Sequence, residues 1–444
     1  MKTKILVAAL LLIIQGMNIN PIYGQNKTWS LQQCIDYALQ KNIQVQKTLL
    51  TTESNKISFD ALKASRFPVV DGSASQNFGW AERQSTLSGK YNFSGSNSTN
   101  LSVGSSVTLY AGLKLKESVK QSDLNYKAGQ YDSETMKETI RLNIMDAFLQ
   151  ILYAEEQVKN TENQIDLTGK QLNLASERLN LGVIAKSDYL LVKSQQATEK
   201  QNLASAQGLL ATDRVTLMQF MDLPINNDFQ IEHPDLTNLI NISRNTLPDS
   251  VYQIALAIKP QIKSAALYSE SAAIGIDIAK ADFKPHLSLS AGINTDYLNA
   301  YKGSDYPFQL SHNISPSIGL NLSIPIYHNL QLKSKVDLAK INTDNAKLDE
   351  QNTKNALRKS IEAACTNVIT AQNEYDASKE QYLSAQESYS VASEKYTQEI
   401  LNSVDFLVQK INFNTAESNF LQSKYNLIFS YKTLDFYLGI PFNF

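Results

Sequence analysis

Ile318-Gly319-Leu320-Asn321-Leu322-Ser323-Ile324-Pro325-Ile326 alternates apolar with small or polar side chains. Just beyond it, over 330–397, a polar-rich helical pattern runs without a single glycine or proline. A period of two gives a strand two unlike faces. About 9 to 11 such residues suit a bilayer-crossing strand, apolar towards lipid and polar towards a water-filled lumen. The helical run, at about 1.5 Å per residue, reaches on the order of 100 Å, more than one globular domain can hold.

The whole pattern occurs twice. Pro68 pairs with Pro285, and 285 − 68 = 217. The same shift puts Ala38-Leu39 on Ala255-Leu256, Tyr110 on Tyr327, Arg141 on Arg358, Ala175-Ser176-Glu177 on Ala392-Ser393-Glu394, Asp188 on Asp405 and Pro224 on Pro441. One ungapped register over that length marks two homologous halves. Repeat 1 is 25–229, the inter-repeat linker 230–247 and repeat 2 248–444. The Asn-rich stretch from 222, with Pro224 and Pro234, predicts an irregular connection.

Each half has the same order. Helical spacing predicts a helix over 30–66, stopped by Pro68. Strand alternation follows, with Leu101, Val103, Val107, Leu109 and Ala111 on one face and Ser102, Gly104, Ser106, Thr108 and Tyr110 on the other. Leu287, Leu289, Ala291 and Ile293 open the second half's pair. The weakest strand begins at 69, where Val70, Gly72, Ala74, Phe78 and Trp80 are interrupted by Gln76. The stretches 81–100 and 299–313 read as exposed loops, and Trp80, Tyr91, Tyr297, Tyr301 and Tyr306 as an interfacial aromatic girdle. Long helices are predicted over 113–180 and 330–397, where Ile140, Ile144, Phe148 and Ile151 have the spacing of coiled-coil-like packing. Return helices over 187–221 and 404–438 follow.

Lys2 and Lys4 precede an apolar run of about ten residues, too short to cross a bilayer and of the size of a secretory h-region, so 1–24 reads as a signal peptide. Cys34 and Cys365 fall in helical patterns and read as packing groups. The net charge is −2, and removal of Lys2 and Lys4 gives −2 − 2 = −4, which argues against nucleic acid as a partner. With no later apolar run long enough for a membrane helix either, entry into a membrane requires a closed β-barrel. Four strands cannot close one, so the chain must oligomerise. His233, His286, His312 and His328 share no ligand spacing, and no phosphate loop or nucleophile elbow occurs, so catalysis, cofactors and bound metals are not expected. A secreted or periplasmic coiled-coil scaffold or adhesin is the alternative, but it leaves the alternating strands without a role.

Gly182-Val183-Ile184-Ala185-Lys186-Ser187-Asp188, its counterpart from Glu399 to Asp405, and the opening Ser30-Leu31 with Ala38-Leu39-Gln40-Lys41-Asn42 resemble the TolC-type outer membrane factor (outer membrane efflux protein) family. The resemblance covers essentially the whole mature chain. It implies a mainly α fold with membrane β: a long helical coiled-coil tunnel, and four strands per chain contributing to a trimeric twelve-stranded barrel. It implies a passive, porin-like duct for efflux or secretion in the outer membrane of a Gram-negative bacterium, with the tunnel in the periplasm. The partners implied are two further copies, outer membrane lipid, a periplasmic adaptor and an inner membrane transporter of RND or ABC type.

The resemblance also places a gate and adaptor contacts at the hairpin tips, at Gly182, Ser187, Asp188, Tyr396, Glu399 and Asp405. By position Asp188 and Asp405 match the acidic tip residues and Tyr396 a bridging tyrosine. Leu401 stands where the family has an arginine, Val408 at a second acidic ring position and Glu399 at the second tip's glycine.

Overall fold

The computed structural model describes residues 28–84, 89–226, 228–236, 247–299 and 305–442. The expected signal segment, residues 237–246 of the linker and Tyr301 lie outside them. The chain runs α1 (Leu31–Lys41), α2 (Ile43–Ala64), β1 (Val69–Gln84), β2 (Tyr91–Ala111), α3 (Lys114–Asn180), α4 (Lys186–Met221), α5 (Pro248–Ile258), α6 (Pro260–Ala281), β3 (His286–Leu298), α7 (Tyr306–His312), β4 (Ser315–Ser323), α8 (Gln331–Thr397) and α9 (Ser403–Leu438). The 217-residue offset carries the bounds of α1, α2, α3 and α4 onto those of α5, α6, α8 and α9 without a residue of slippage. It also maps left-handed backbone positions onto one another: Gly112 on Asn329, Gly182 on Glu399 and Asp222 on Gly439.

Helices α3 and α8 have 67 residues each, about 100 Å at 1.5 Å per residue, whereas α4 and α9 have 36. Their remaining length is flanked by α2 and α6, with α6 lying against both long helices. Each long helix is thus covered along its length by shorter helices, which is what a polar rod with a narrow apolar stripe requires.

The helix expected over 30–66 is two helices. Asn42 leaves the helical conformation at ψ 126, and its Oδ1 accepts from the Gln44 and Val45 amides. Its Nδ2 donates to the Phe220 carbonyl at 2.8 Å, pinning the break to the end of α4. An Asn side chain that caps the next helix competes with helix continuation. The equivalent break at Lys259 has another cause, because Pro260 excludes the helical conformation from the residue before it.

Two cores sit at these breaks. Leu31, Cys34, Ile144, Phe148, Leu217 and Met221 form one; Val251, Ile361, Cys365, Leu427 and Leu434 belong to the other. Both cysteines are free and buried in different cores, and burial pushes the Cys34 thiol up to about 12. Their packing role agrees with the sequence reading.

The four strands form one antiparallel sheet in the order β1-β2-β3-β4, so the two halves meet along β2 and β3. Directly paired residues share a face. One face carries the rows Val70–Ser105–Ala291–Ile318, Gly72–Val103–Ile293–Pro316 and Val107–Leu289–Leu320. The other carries Asp71–Gly104–Gly292–Ser317 and Ser73–Ser102–Asn294–Ser315. Gln76, the polar interruption, stands on the apolar face, where it bonds laterally to Asn97 and Thr99.

Three expectations about this region need correction. Most of the supposed loop 81–100 is strand, because ladder pairing from Glu82↔Phe93 to Ser75↔Asn100 satisfies the backbone and outweighs the weak strand preference of Ser, Gly and Asn. The supposed loop 299–313 contains α7, begun by Asp305, whose carboxylate accepts from the Phe308 amide at 3.0 Å. Strand β4 stops at Ser323 rather than continuing to 326, since Pro325 has no N–H to donate to a ladder. In addition, a bulge between Thr108 and Tyr110 shifts the phase of β2 and sets Tyr110 opposite Leu287, on the apolar face.

Candidate functional site

Two regions of this fold are candidates for contact with other molecules: the apolar face of the sheet and the helical tips. On the apolar face Tyr110 is level with Leu287, and Tyr297 lies ten residues further along β3 (297 − 287 = 10). At about 3.4 Å per residue and a tilt of about 40°, that separation is about 26 Å along a barrel axis, the height of an outer membrane apolar band. Tyr306 of α7 packs on Tyr297 with ring centroids 4.7 Å apart. Trp80 lies two same-face rows beyond Tyr297, and Tyr91 is at the far end of the hairpin. Among the five residues expected in a girdle, Tyr297 and Tyr306 are brought together; Tyr110, which is not among them, lies at the opposite end of the same face. Among the described residues no helix is long and apolar enough to cross a membrane.

At the other end, each long helix closes with the same turn. Gly182 (φ 73) lets the Val183 amide reach the Arg178 carbonyl at 2.9 Å while its own amide reaches Leu179. Glu399 (φ 64) repeats this, with Ile400 reaching Lys395 and its own amide reaching Tyr396. This is the Schellman closure, in which glycine is favoured because a side chain at positive φ costs about 1 kcal/mol. The second tip then enters α9 through Asn402, whose Oδ1 accepts from the Asp405 amide at 2.8 Å and whose Nδ2 donates to the Asp405 carboxylate at 2.7 Å. Ser187 and Asp188 stand in the first turn of α4, and Asp405 in that of α9; both acids sit at the positive end of a helix dipole. Among the described residues neither aspartate forms an ion pair.

Tyr396 is buried and stacks on Phe406 at 4.5 Å. The partner that sequence reasoning missed is Arg178, from the first hairpin. Its guanidinium lies 5.6 Å from the centre of the Tyr396 ring, donates to the Thr397 carbonyl at 3.3 Å and stands 3.7 Å from the Glu399 carboxylate. Gly182, Ser187 and Asp188 therefore occupy one tip, and Tyr396, Glu399 and Asp405 the other. Arg178 joins the two.

Also missed was the Tyr396 stack's extension into a ladder. Tyr375, Tyr382, Tyr389 and Tyr396 on α8 interleave with Phe406, Phe413 and Phe420 on α9, with centroids 4.5 to 5.9 Å apart. Both sets repeat every seven residues, a spacing visible in the sequence. One face of a helix pair recurs at that interval. The first half has Val158, Ile165, Leu172 and Leu179 where the tyrosines would stand, so the ladder belongs to the second hairpin alone.

A sheet with one lipid-compatible face, carried on helical rods about 100 Å long, defines an outer membrane duct rather than a soluble rod. Residues 34–221 and 251–440 each match the sequence model of the outer membrane efflux protein family, and the chain belongs to that family. It is an outer membrane channel protein of the export type, and its family is one of channels rather than enzymes. Solved structures with the same fold include the CmeC outer membrane channel of Campylobacter jejuni, with a TM-score of 0.79, 19% identity and coverage of 94% of this chain and 86% of that one. VceC of Vibrio cholerae gives 0.78 at 17% identity over 93% and 97% of the two chains. The open state of the Neisseria gonorrhoeae MtrE channel gives 0.76 at 18% over 92% and 89%. No curated protein sequence gives a match.

Proposed function

We propose that three copies of this chain close a twelve-stranded barrel in the outer membrane of a Gram-negative bacterium. Their helices form a tunnel through the periplasm, and residues 1–24 are the export signal. The observation that carries this reading is the four-stranded sheet itself, apolar on one face and ending in two open edges, β1 and β4. Unpaired backbone groups are not tolerated in hydrocarbon, and joining β4 of one copy to β1 of the next removes every edge at once.

The duct is passive. A periplasmic adaptor and an inner membrane transporter of RND or ABC type supply the energy and act on the tips, where Gly182, Ser187, Asp188, Tyr396, Glu399 and Asp405 form the entrance. Arg178 serves as the cation of an inter-hairpin latch that Leu401 cannot supply. Threefold symmetry would turn Asp188 and Asp405 into rings of three carboxylates each, giving a negative potential and a preference for cations.

Planar-bilayer recording tests both parts. Reconstituted protein is expected to conduct as a trimer with cation selectivity, and Asp188→Asn with Asp405→Asn to weaken that selectivity. Selectivity unchanged in the double variant would remove the aspartates from the constriction, and a chemically cross-linked species other than a trimer would remove the barrel.

A further inference from the structure

Above the tip, the second hairpin drives one cation into the first. Lys410 lies seven residues into α9 from Ser403, about 10 Å along its axis, and its side chain is 1% exposed. Its three ammonium protons meet three acceptors, all on the first hairpin. Glu199 Oε1 of α4 is 3.1 Å away, Gln171 Oε1 of α3 is 3.4 Å away, and the Thr168 hydroxyl of α3 is the third. Glu199 is also 1% exposed; Gln195 Nε2 donates to its Oε1 at 3.0 Å and Thr168 bonds its Oε2. Gln171 Nε2 in turn donates to the Tyr389 hydroxyl at 3.4 Å, so the aromatic ladder is tied into the same cluster.

The cluster has no counterpart in the other half. Under the 217-residue shift Thr168 falls on Ala385, Glu199 on the buried Ala416, and Lys410 on the exposed Lys193. A buried ion pair with every donor matched is a poor way to gain stability compared with apolar packing, but it fixes one relative placement of the elements that carry it. Here those elements are the two hairpins, and the second carries the aromatic ladder between its two helices.

We propose that Lys410 and Glu199 are positioning residues of the gate: a charged clamp that holds the second hairpin in the placement it has here against the first, that this placement is the resting, closed one, and that opening the duct requires the Lys410 ammonium to leave its pocket. This rests on the channel reading above. The clamp differs from the Arg178 latch in being fully enclosed, beyond the reach of an adaptor at the tip surface. It therefore sets the resting conductance of the free channel.

The test is single-channel conductance of the full-length trimer in planar bilayers, with heat-dependent migration on gels as the measure of assembly. Lys410→Met with Glu199→Gln removes both charges at similar volume; it is expected to assemble as the wild type does and to raise the resting conductance several-fold. The exchanged pair, Lys410→Glu with Glu199→Lys, is expected to bring it back towards the wild-type value. Thr168→Val, nearly isosteric and uncharged, removes only the shared hydroxyl and should give a smaller rise. An assembled neutral variant with wild-type conductance overturns the clamp, as does an exchanged pair that stays fully leaky. Should the charge variants fail to assemble, wild-type conductance in Thr168→Val overturns it too. No current through any inserted trimer would overturn the channel reading itself.

Discussion

Ile318→Arg tests the assignment of the sheet's faces. Ile318 is 77% exposed in the single chain and lies on the row Val70–Ser105–Ala291–Ile318. That row is near the middle of the band between Tyr110 and Tyr297, since Ala291 is four residues from Leu287 and six from Tyr297. An arginine at the bilayer midplane on the lipid face of a barrel costs about 2 to 4 kcal/mol, so three symmetric copies cost about 6 to 12 kcal/mol per trimer. The neighbouring Ser317 points to the other face, on the row Asp71–Gly104–Gly292–Ser317, which holds no large apolar side chain. Ser317→Arg should shift stability by about 0.5 kcal/mol or less. Folding titrations into lipid vesicles, followed by denaturant dependence, give both values. Equal costs at 317 and 318, or a larger cost at 317, would show that the sheet does not face lipid as assigned.

Glu399→Gly should separate stability from gating. It relieves about 1 kcal/mol of backbone strain at φ 64, which matches or exceeds the value of a 3.7 Å ion pair whose carboxylate is exposed. Thermal stability is therefore expected to hold or rise slightly while resting conductance increases with the loss of the Arg178 contact; a fall in stability with unchanged conductance contradicts this. Asp213 carries a carboxylate oxygen, Oδ2, with no hydrogen-bond partner among the described residues. Burial, with the nearby Asp146, raises its pKa above the ordinary value of 3.8. A raised pKa means that its favourable neutral form is fully present below 3.8 and is lost as pH rises through the folded value. Asp213→Asn should accordingly raise the melting temperature at neutral pH, and the gain should vanish as pH falls towards 3.8. A gain that persists at acid pH would remove ionisation as the cause.

Much of this protein is written in local pattern. The period-two segments around Val103, Leu289 and Leu320 and the proline-free, glycine-poor runs fix strands and long helices, because side-chain alternation and helical spacing follow directly from backbone geometry. The 217-residue offset determined that the four helices of one half recur in the other with the same bounds, down to the residues at the tip turns. The heptads of Tyr375 to Tyr396 and Phe406 to Phe420 were legible as well; they describe a packing face that shows only once the two helices are laid together. Only the tertiary structure decided what depends on residues distant in sequence. Strand pairing turned the Ser- and Asn-rich stretch from 91 to 100 into ladder, because its hydrogen bonds come from β1 and β3. The bulge at Leu109 changed the face of Tyr110. Contact between hairpins brought Arg178 to Glu399 and Lys410 to Glu199. A buried charge is tolerable only beside its counter-charge, and a single chain of letters does not say which of its many acids will be there.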